Sequence, residues 1–293
     1  MEIKVKRFFF WLAAFFCVFS ASQNMVWAQE TPEVIKDIPY IQGSANPKQM
    51  LDLYIPRTGT KHRPVLVFVH GGGWGLGDKK MARKMGPFFT GRGVILVSLN
   101  YRLAPANPYP DFAEDIAAAM RWVVDHIGEY GGDVKNIVLS GHSAGAHLVA
   151  LIGTHPDFLR EQGLDLRMFR AVVPVDTASF DLSTDPYGLA VRRQKKMRTR
   201  AFGSEQEILD DASPSKQALK ARSKRLSQFE IFVSSRRPDA VEQSRELTQA
   251  VQKSGNKAEM HVVQGLSHRA MCMAIYDPDS EISQTILKRL RAQ

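Results

Sequence analysis

The residues with the clearest chemical meaning in this 293-residue sequence surround Ser143. The serine is the centre of the pentapeptide Gly-His-Ser-Ala-Gly at residues 141–145, with an apolar run before it and an Ala/Leu-rich run after it. That order predicts a strand, a sharp turn and a helix, which would expose Ser143 Oγ above the edge of a sheet. The backbone N–H of Ala144 would then lie at the positive end of the helix, where it can stabilise an oxyanion. The pentapeptide therefore predicts a serine nucleophile for acyl transfer.

A run of glycines supplies the second half of this chemistry. His-Gly-Gly-Gly-Trp at residues 70–74 directly follows an apolar run that is typical of a strand. Glycines without side chains leave their backbone N–H groups open to a close ligand, and we expect those of Gly72 and Gly73 to complete an oxyanion hole with Ala144. Each such donor contributes roughly 2.7–4 kcal/mol to a transition state of this kind.

A histidine must take the proton from Ser143, and the sequence contains eight. Only His268 follows a late predicted strand through a short turn, at residues 265–267, so we predict it as the general base. His70 opens the glycine run and is expected to support that loop, and His142 occupies the variable position of the pentapeptide. His261 lies inside a predicted strand, where a structural role is expected.

The apolar pattern predicts how these loops come together. Continuous apolar runs at residues 65–69 and 94–97 are typical of strands buried on both faces, and residues 79–92 between them are predicted to be helical. Strand–helix–strand units require parallel strands with helices on the faces of the sheet, so we predict an α/β fold. The other predicted strands are residues 35–41, 50–54, 136–140, 171–175, 229–233 and 259–263, and the other predicted helices are residues 111–127, 146–152, 241–253 and 280–291.

With these motifs the chain resembles the α/β-hydrolase superfamily. It is similar to the branch that contains esterases like hormone-sensitive lipase, acetyl-xylan and feruloyl esterases, and kynurenine formamidase. The resemblance runs from residue 65 to the C-terminus and includes Asn-Tyr-Arg-Leu-Ala-Pro at residues 100–105, Asp-Ala-Ser-Pro at residues 211–214 and Asp-Pro-Asp-Ser at residues 277–280. It implies the α/β-hydrolase fold, a serine hydrolase with no metal and no cofactor, and a scaffold role for Arg102 and Asp115.

The resemblance also implies an acid that orients the histidine, just after the strand predicted at residues 229–233. The loop there reads Ser-Ser-Arg-Arg-Pro-Asp, with arginine where a carboxylate is expected, and Asp239 is the nearest acid. We predict Asp239 as the third member of the triad. Its alternative role is a capping box with Glu242 at the start of the next helix. The remaining candidates for the acid are Glu242, Glu230 and Asp176.

Residues 1–28 are interpreted as a secretory signal peptide, because basic residues precede a short apolar stretch and small residues precede a cleavage site after Ala28. The stretch at residues 8–21 is too short to span a bilayer comfortably, so no stable membrane anchor is expected. We therefore expect a secreted or periplasmic protein that consists of one α/β-hydrolase domain, residues 29–293. Cys272 is the one cysteine of that domain, which excludes an internal disulfide.

The chain is basic, with a formal net charge of +9, and the excess is concentrated between residues 192 and 225. This segment belongs to a stretch at about residues 180–228 that interrupts the strand–helix alternation, which we interpret as a cap insertion over the active site. The positive charge indicates a solvated face or contact with an anionic glycan, lipid head group or substrate. Nucleic acid is not expected as a partner of an exported protein.

The sequence therefore predicts a hydrolase that cleaves a small carboxylic ester, or an acylated glycan, through an acyl-serine intermediate. Two alternatives remain open. One is an amidase similar to kynurenine formamidase, which residues 243–246 (Gln-Ser-Arg-Glu) would favour. The other is a non-catalytic binding protein with a hydrolase fold, which the irregular acid loop would favour.

Overall fold

Eight strands form one sheet in the part of the chain that the computed structural model describes, residues 31–59, 61–184, 191–221 and 225–291. The signal peptide predicted at residues 1–28 lies outside this part. Across the same residues, no helix combines the length and the apolar character that crossing a bilayer requires.

The sheet is mostly parallel, with spatial order β1-β2-β4-β3-β5-β6-β7-β8. Its first two pairings, β1 with β2 and β2 with β4, are antiparallel, and every later pairing is parallel. This confirms the predicted α/β fold. The strands are β1 (Glu33–Pro39), β2 (Met50–Ile55), β3 (Arg63–Val69), β4 (Ile95–Leu99), β5 (Gly132–His142), β6 (Phe169–Val175), β7 (Phe229–Ser234) and β8 (Ala258–Val263).

Helices cover both faces of the sheet, as buried parallel strands require. Alternate side chains of β3 enter two different apolar clusters, Val67 on one face and Phe68 on the other. The first cluster includes Phe112 and Leu148, and the second includes Ile286. The α-helices are α1 (Met85–Thr90), α2 (Asp111–His126), α3 (Ala144–Thr154), α4 (Pro156–Glu161), α5 (Val191–Phe202), α6 (Gln206–Asp211), α7 (Pro214–Lys220), α8 (Pro238–Lys253), α9 (His268–Ala274) and α10 (Glu281–Arg291).

The helix predicted at residues 79–92 is wrong in detail. A 3-10 helix covers Lys79–Lys84, and only Met85–Thr90 is α-helical. Pro87 explains the change, because a proline inside a continuous α-helix would lack its N–H and would clash with the carbonyl four residues earlier. The strand predicted at residues 136–140 is longer than expected and extends over Gly132–His142.

The carboxyl ends of the central strands meet at one edge of the sheet. Val69 of β3 pairs with Gly141 of β5, His142 of β5 pairs with Val175 of β6, and Val175 pairs with Phe232 of β7. Ligand sites of open α/β sheets lie outside this edge. The residues that follow β3, β5, β6 and β7 therefore converge there.

The stretch at residues 180–228, interpreted above as a cap insertion, contains α5, α6 and α7. Phe202, the last residue of α5, packs edge-on against Trp74 with ring centroids 5.0 Å apart, so α5 contacts the loop after β3. The contact holds α5 beside the edge where the strand ends meet.

Candidate active site

The turn after β5 holds Ser143 in a conformation that non-glycine residues rarely adopt, with φ 59° and ψ −122°. The backbone N–H of Ser143 donates to the carbonyl of Val175, at the end of β6, across 3.0 Å. Strained conformations of this kind persist only where the surroundings fix them, and they cluster at functional sites. The turn is the strand–turn–helix that the pentapeptide predicted.

Two glycines allow this turn to lie against β3. A Cβ atom at Gly145 would lie 2.2 Å from the carbonyl oxygen of Val69, and one at Gly141 would lie 2.5 Å from the carbonyl oxygen of Gly145. Both obstacles are backbone atoms that cannot rotate away. The glycines therefore permit the close contact of strand, turn and helix that presents Ser143.

This packing predicts that Gly145→Ala destabilises the fold. We expect a loss of about 2–3 kcal/mol, at the upper end for overpacking because the backbone itself must shift. The expected decrease in melting temperature is then roughly 4–12 °C for a domain of this size, measured by circular dichroism. Gly128→Ala is the matched control, because a Cβ there meets nothing within 4 Å. Equal melting temperatures for the two variants would contradict the packing argument.

His268 reaches the serine from the first turn of α9. Its Nε2 lies 3.0 Å from Ser143 Oγ, within hydrogen-bonding distance. Its backbone carbonyl accepts a hydrogen bond of 2.8 Å from His142 Nε2, which holds the start of α9 against the turn after β5. Burial lowers the pKa of His142 to about 4, so this side chain stays neutral and keeps its role as donor near pH 7. Ser143 and His268, predicted 125 positions apart, are brought together.

Asp176, the residue directly after β6, is the carboxylate that contacts the imidazole. Its Oδ2 lies 2.5 Å from His268 Nδ1, and the side chain is fully buried. Its other oxygen, Oδ1, accepts a 3.1 Å hydrogen bond from the backbone N–H of Ser234. An ionised carboxylate can only accept, so Nδ1 must carry a proton and Nε2 must be the acceptor that faces Ser143. That tautomer is the one in which His268 can remove the serine proton.

The predicted contact between Asp239 and the imidazole is therefore corrected. Asp239 is the second residue of α8, and its Oδ2 accepts a 3.0 Å hydrogen bond from Gln194 of α5. The capping box with Glu242 is wrong as well, since no side chain caps the start of α8. The loop after β7 carries its carboxylate too far along the chain, and β6, one strand closer to β5, supplies Asp176 instead.

An arginine takes the place at which the acid was expected. Arg237 Nη1 donates to Oδ2 and to the backbone carbonyl of Asp176, each across 3.1 Å. Burial alone would raise the pKa of the Asp176 carboxyl, but the hydrogen bond from His268 and the charge of Arg237 outweigh burial and lower this pKa to about 2. Asp176 therefore remains ionised throughout the pH range in which a histidine can act as a base.

The predicted oxyanion donors lie beside the serine. Gly72, Gly73 and Ala144 line the same cavity as Ser143, and no described residue accepts a hydrogen bond from their backbone N–H groups. Gly73 has φ +60°, and a Cβ there would lie 2.5 Å from the sulfur of Met197 in α5. The loop is thus enclosed by the cap insertion while its N–H groups remain open to a ligand.

Buried histidines support this loop. The ring of His70 stacks on Tyr101 with centroids 4.4 Å apart, and its Nδ1 bonds to the carbonyl of Gly71, as expected for a supporting residue. Trp74 Nε1 donates to His147 Nδ1 across 3.2 Å, and His147 Nε2 donates to the carbonyl of Ala212. Burial lowers the pKa values of His70 and His147 to about 4, so both rings stay neutral near pH 7.

The residues expected to be scaffold make structural contacts. Arg102 Nε donates to the buried carboxylate of Asp115 across 2.9 Å. His261 bonds to Glu230 and Glu281, each across 2.8 Å, and stacks on a phenylalanine of β7. These hydrogen bonds account for the side chains without a catalytic role.

Two groups of side chains in the described residues bring three possible metal ligands within 4.8 Å of one another. The first is His142, Asp176 and His268, whose carboxylate already pairs with the positive charge of Arg237. The second is Glu230, Glu259 and His261, in which Glu230 pairs with Arg289. A bound cation would have to compete with an arginine at either place.

A cavity of about 720 Å³ opens over Ser143 and His268. Its walls come from the glycine loop, the turn after β5, the loops after β6 and β7, and α5 of the cap insertion. Ligand pockets of drug-sized molecules have volumes of this order, about 300–1,000 Å³. Residues 243–246, which would favour an amidase, do not line it.

Comparison with known proteins agrees with this geometry. A family model described as BD-FAE matches residues 51–223. A probable isoprenylcysteine alpha-carbonyl methylesterase of Arabidopsis thaliana is 38% identical over 116 residues, which cover 38% of this chain and 24% of that protein. A carboxylesterase of Mycobacterium tuberculosis is 40% identical over 104 residues, which cover 34% of this chain and 32% of that protein. The chain thus spans about a quarter to a third of the length of these curated relatives.

Among solved structures, an esterase B of Lactobacillus rhamnosis has a similar fold, with a TM-score of 0.74. The two proteins are 22% identical, and the match covers 90% of this chain and 85% of that one. A likeness at this level of identity supports the fold, and it extends over almost the whole described chain.

Proposed function

Since the chain belongs to the BD-FAE family and has the α/β-hydrolase fold, we propose that it hydrolyses carboxylic esters through an acyl intermediate on Ser143. The observation that carries the proposal is the line of hydrogen bonds from Ser143 through His268 to Asp176, with distances of 3.0 and 2.5 Å. Nucleophile, base and orienting acid in this arrangement constitute a catalytic triad.

In the proposed reaction, His268 Nε2 takes the proton of Ser143 as Oγ attacks the ester carbonyl. The charge that develops on the carbonyl oxygen is stabilised by the backbone N–H groups of Gly72, Gly73 and Ala144. The imidazolium then gives its proton to the leaving alcohol, and later activates the water that hydrolyses the acyl-serine. Asp176 orients the ring and stabilises its positive charge throughout.

The rival hypotheses have lost the features that favoured them. The amidase rested on residues 243–246, and Gln243 accepts a hydrogen bond from the backbone N–H of Asp181 in the cap insertion rather than lining the cavity. The non-catalytic binding protein rested on the irregular loop after β7, whose missing carboxylate is supplied by Asp176. Neither is proposed further.

Export is also part of the proposal. It is supported by the basic start, apolar stretch and small-residue pattern of residues 1–28, which are typical of a secretory signal peptide. An acylated glycan remains one of the ester classes to be tested.

The test is a panel of nitrophenyl esters of graded acyl length, matched nitroanilides and an acetylated xylo-oligosaccharide, offered to the purified protein. We expect ester hydrolysis that stops after treatment with a serine-directed phosphonate, together with a mass increase of one phosphonyl group on the peptide that contains Ser143. Faster cleavage of the anilides would favour an amidase. Failure to hydrolyse any ester or to form the adduct would overturn the proposal.

A further inference from the structure

The cavity over Ser143 has an excess of positive charge on one side. Four arginines line it, namely Arg193 and Arg198 of α5 and Arg236 and Arg237 beside the start of α8. Among the described lining residues, Asp239 is the one carboxylate. A cleft lined by charge of one sign raises the local concentration of oppositely charged ligands.

Two of these arginines are held by the protein itself. Arg237 forms an ion pair with the buried Asp176 at 3.1 Å. Arg198 is only 9% exposed, and its Nη1 donates to the carbonyl of Thr184 across 2.8 Å. Both side chains therefore help to build the cavity wall.

The other two, Arg193 and Arg236, which we call the arginine pair, are differently placed. Both side chains are exposed, and neither guanidinium group forms a hydrogen bond or an ion pair with a described residue. Asp239 does not neutralise them, because its carboxylate accepts from Gln194 and lies 3.8 Å from Arg237. The arginine pair thus offers two sets of N–H donors to whatever occupies the cavity.

The opposite side of the cavity is apolar. Leu76 and Met81 line it although 72% and 45% of their surfaces are exposed, and Trp74 and Met197 continue this wall toward Gly73. The arrangement fits a ligand that is apolar at one end and anionic at the other.

Resting on the esterase function above, we propose that the preferred substrates are esters that carry a second, ionised carboxylate, and that the arginine pair recognises it. Guanidinium groups match carboxylates in charge and planar geometry, and such hydrogen bonds are stronger than neutral ones. The carboxylate lies on the arginine side of the cavity while the rest of the substrate contacts Leu76 and Met81. The arginine pair thereby determines specificity without taking part in bond cleavage.

The test uses substrates that differ only in charge. Monomethyl adipate and its amide, methyl adipamate, place the charge in the acyl part, and 4-acetoxybenzoate and 4-acetoxybenzamide place it in the alcohol part. We expect kcat/KM to be about tenfold higher for the carboxylate in at least one pair at pH 7.5 and 0.15 M salt, as one or two partly exposed ion pairs provide. The pair that shows the preference identifies the part of the ester that faces the arginines.

The variants Arg193→Gln and Arg236→Gln test the residues. Each is expected to reduce the preference about threefold, and together they should abolish it, while kcat/KM for the neutral amide substrate stays unchanged. Arg192→Gln is the matched control, because this neighbouring residue lines a separate surface depression with Lys195 and Lys196. It should leave the preference intact.

Equal rates for carboxylate and amide in both pairs would overturn the inference, as would an equal loss of preference in Arg192→Gln. Hydrolysis of the neutral substrates keeps this outcome distinct from failure of the esterase function itself. If no ester is cleaved, calorimetric binding to Ser143→Ala protein decides. Tighter binding of 4-acetoxybenzoate than of 4-acetoxybenzamide would then uphold the inference, and equal binding would refute it.

Discussion

Ser143→Ala is expected to lower kcat for a neutral ester by about 10⁴–10⁶-fold, the size of loss seen when a triad loses its nucleophile. The alanine has no oxygen to form the acyl intermediate, while the oxyanion donors and the cavity remain in place. The residual rate over uncatalysed hydrolysis should therefore be small but measurable. The measurement is steady-state hydrolysis of a nitrophenyl ester, with the melting temperature as a check that the variant is folded.

Ser179→Ala is the control for this variant, because Ser179 is another serine that lines the cavity. It should retain covalent labelling by the phosphonate, whereas Ser143→Ala should lose it. Phosphonate labelling of a folded Ser143→Ala protein would assign the nucleophile to a different residue.

Asp176→Asn is expected to cause the second large loss, approaching about 10⁴-fold in kcat, as in the known triad example. The backbone N–H of Ser234 needs an acceptor, so the amide oxygen of the asparagine would stay on that side. Its NH₂ group would then face His268 Nδ1 and would favour the tautomer with the proton on Nε2. An imidazole protonated on Nε2 cannot accept the serine proton.

Asp239→Asn makes the same chemical change at the acid predicted from the sequence. The asparagine oxygen can still accept from Gln194, so activity should stay within about tenfold of the unmodified enzyme, much less than the loss at a triad carboxylate. Measuring kcat for both variants on one neutral ester decides between the carboxylates. A greater loss in Asp239→Asn than in Asp176→Asn would return the role to Asp239.

The features that were predictable from the sequence are those written in consecutive residues. The turn at Ser143 and the loop at Gly72 and Gly73 each depend on a few neighbouring glycines that permit a particular backbone path. His268 was predictable because it follows the last strand through a short turn, which fixes its distance from the sheet edge. These local signals needed no knowledge of how distant segments pack.

Asp176 could not be chosen in this way, because its role depends on which strand lies next to β5. An acid directly after an apolar strand was the available signal, but the same signal could not say whether β6 or β7 brings its loop to the imidazole. The answer comes from the pairing of His142 with Val175, which puts Asp176 one residue beyond the strand end, beside the serine. Arg237 was missed for the same reason, since its importance follows only from its contact with Asp176.

The position of the acid on β6 also separates two tasks that the loop after β7 would otherwise have to combine. Because Asp176 orients the imidazole, Arg236 can be exchanged while the proton-transfer residues stay unchanged. Adjacent Arg237 cannot be exchanged so freely, since it holds Asp176 through both a side-chain and a backbone oxygen. Within this loop, a single codon is thus open to directed evolution of substrate range, and its neighbour is constrained by the chemistry of hydrolysis.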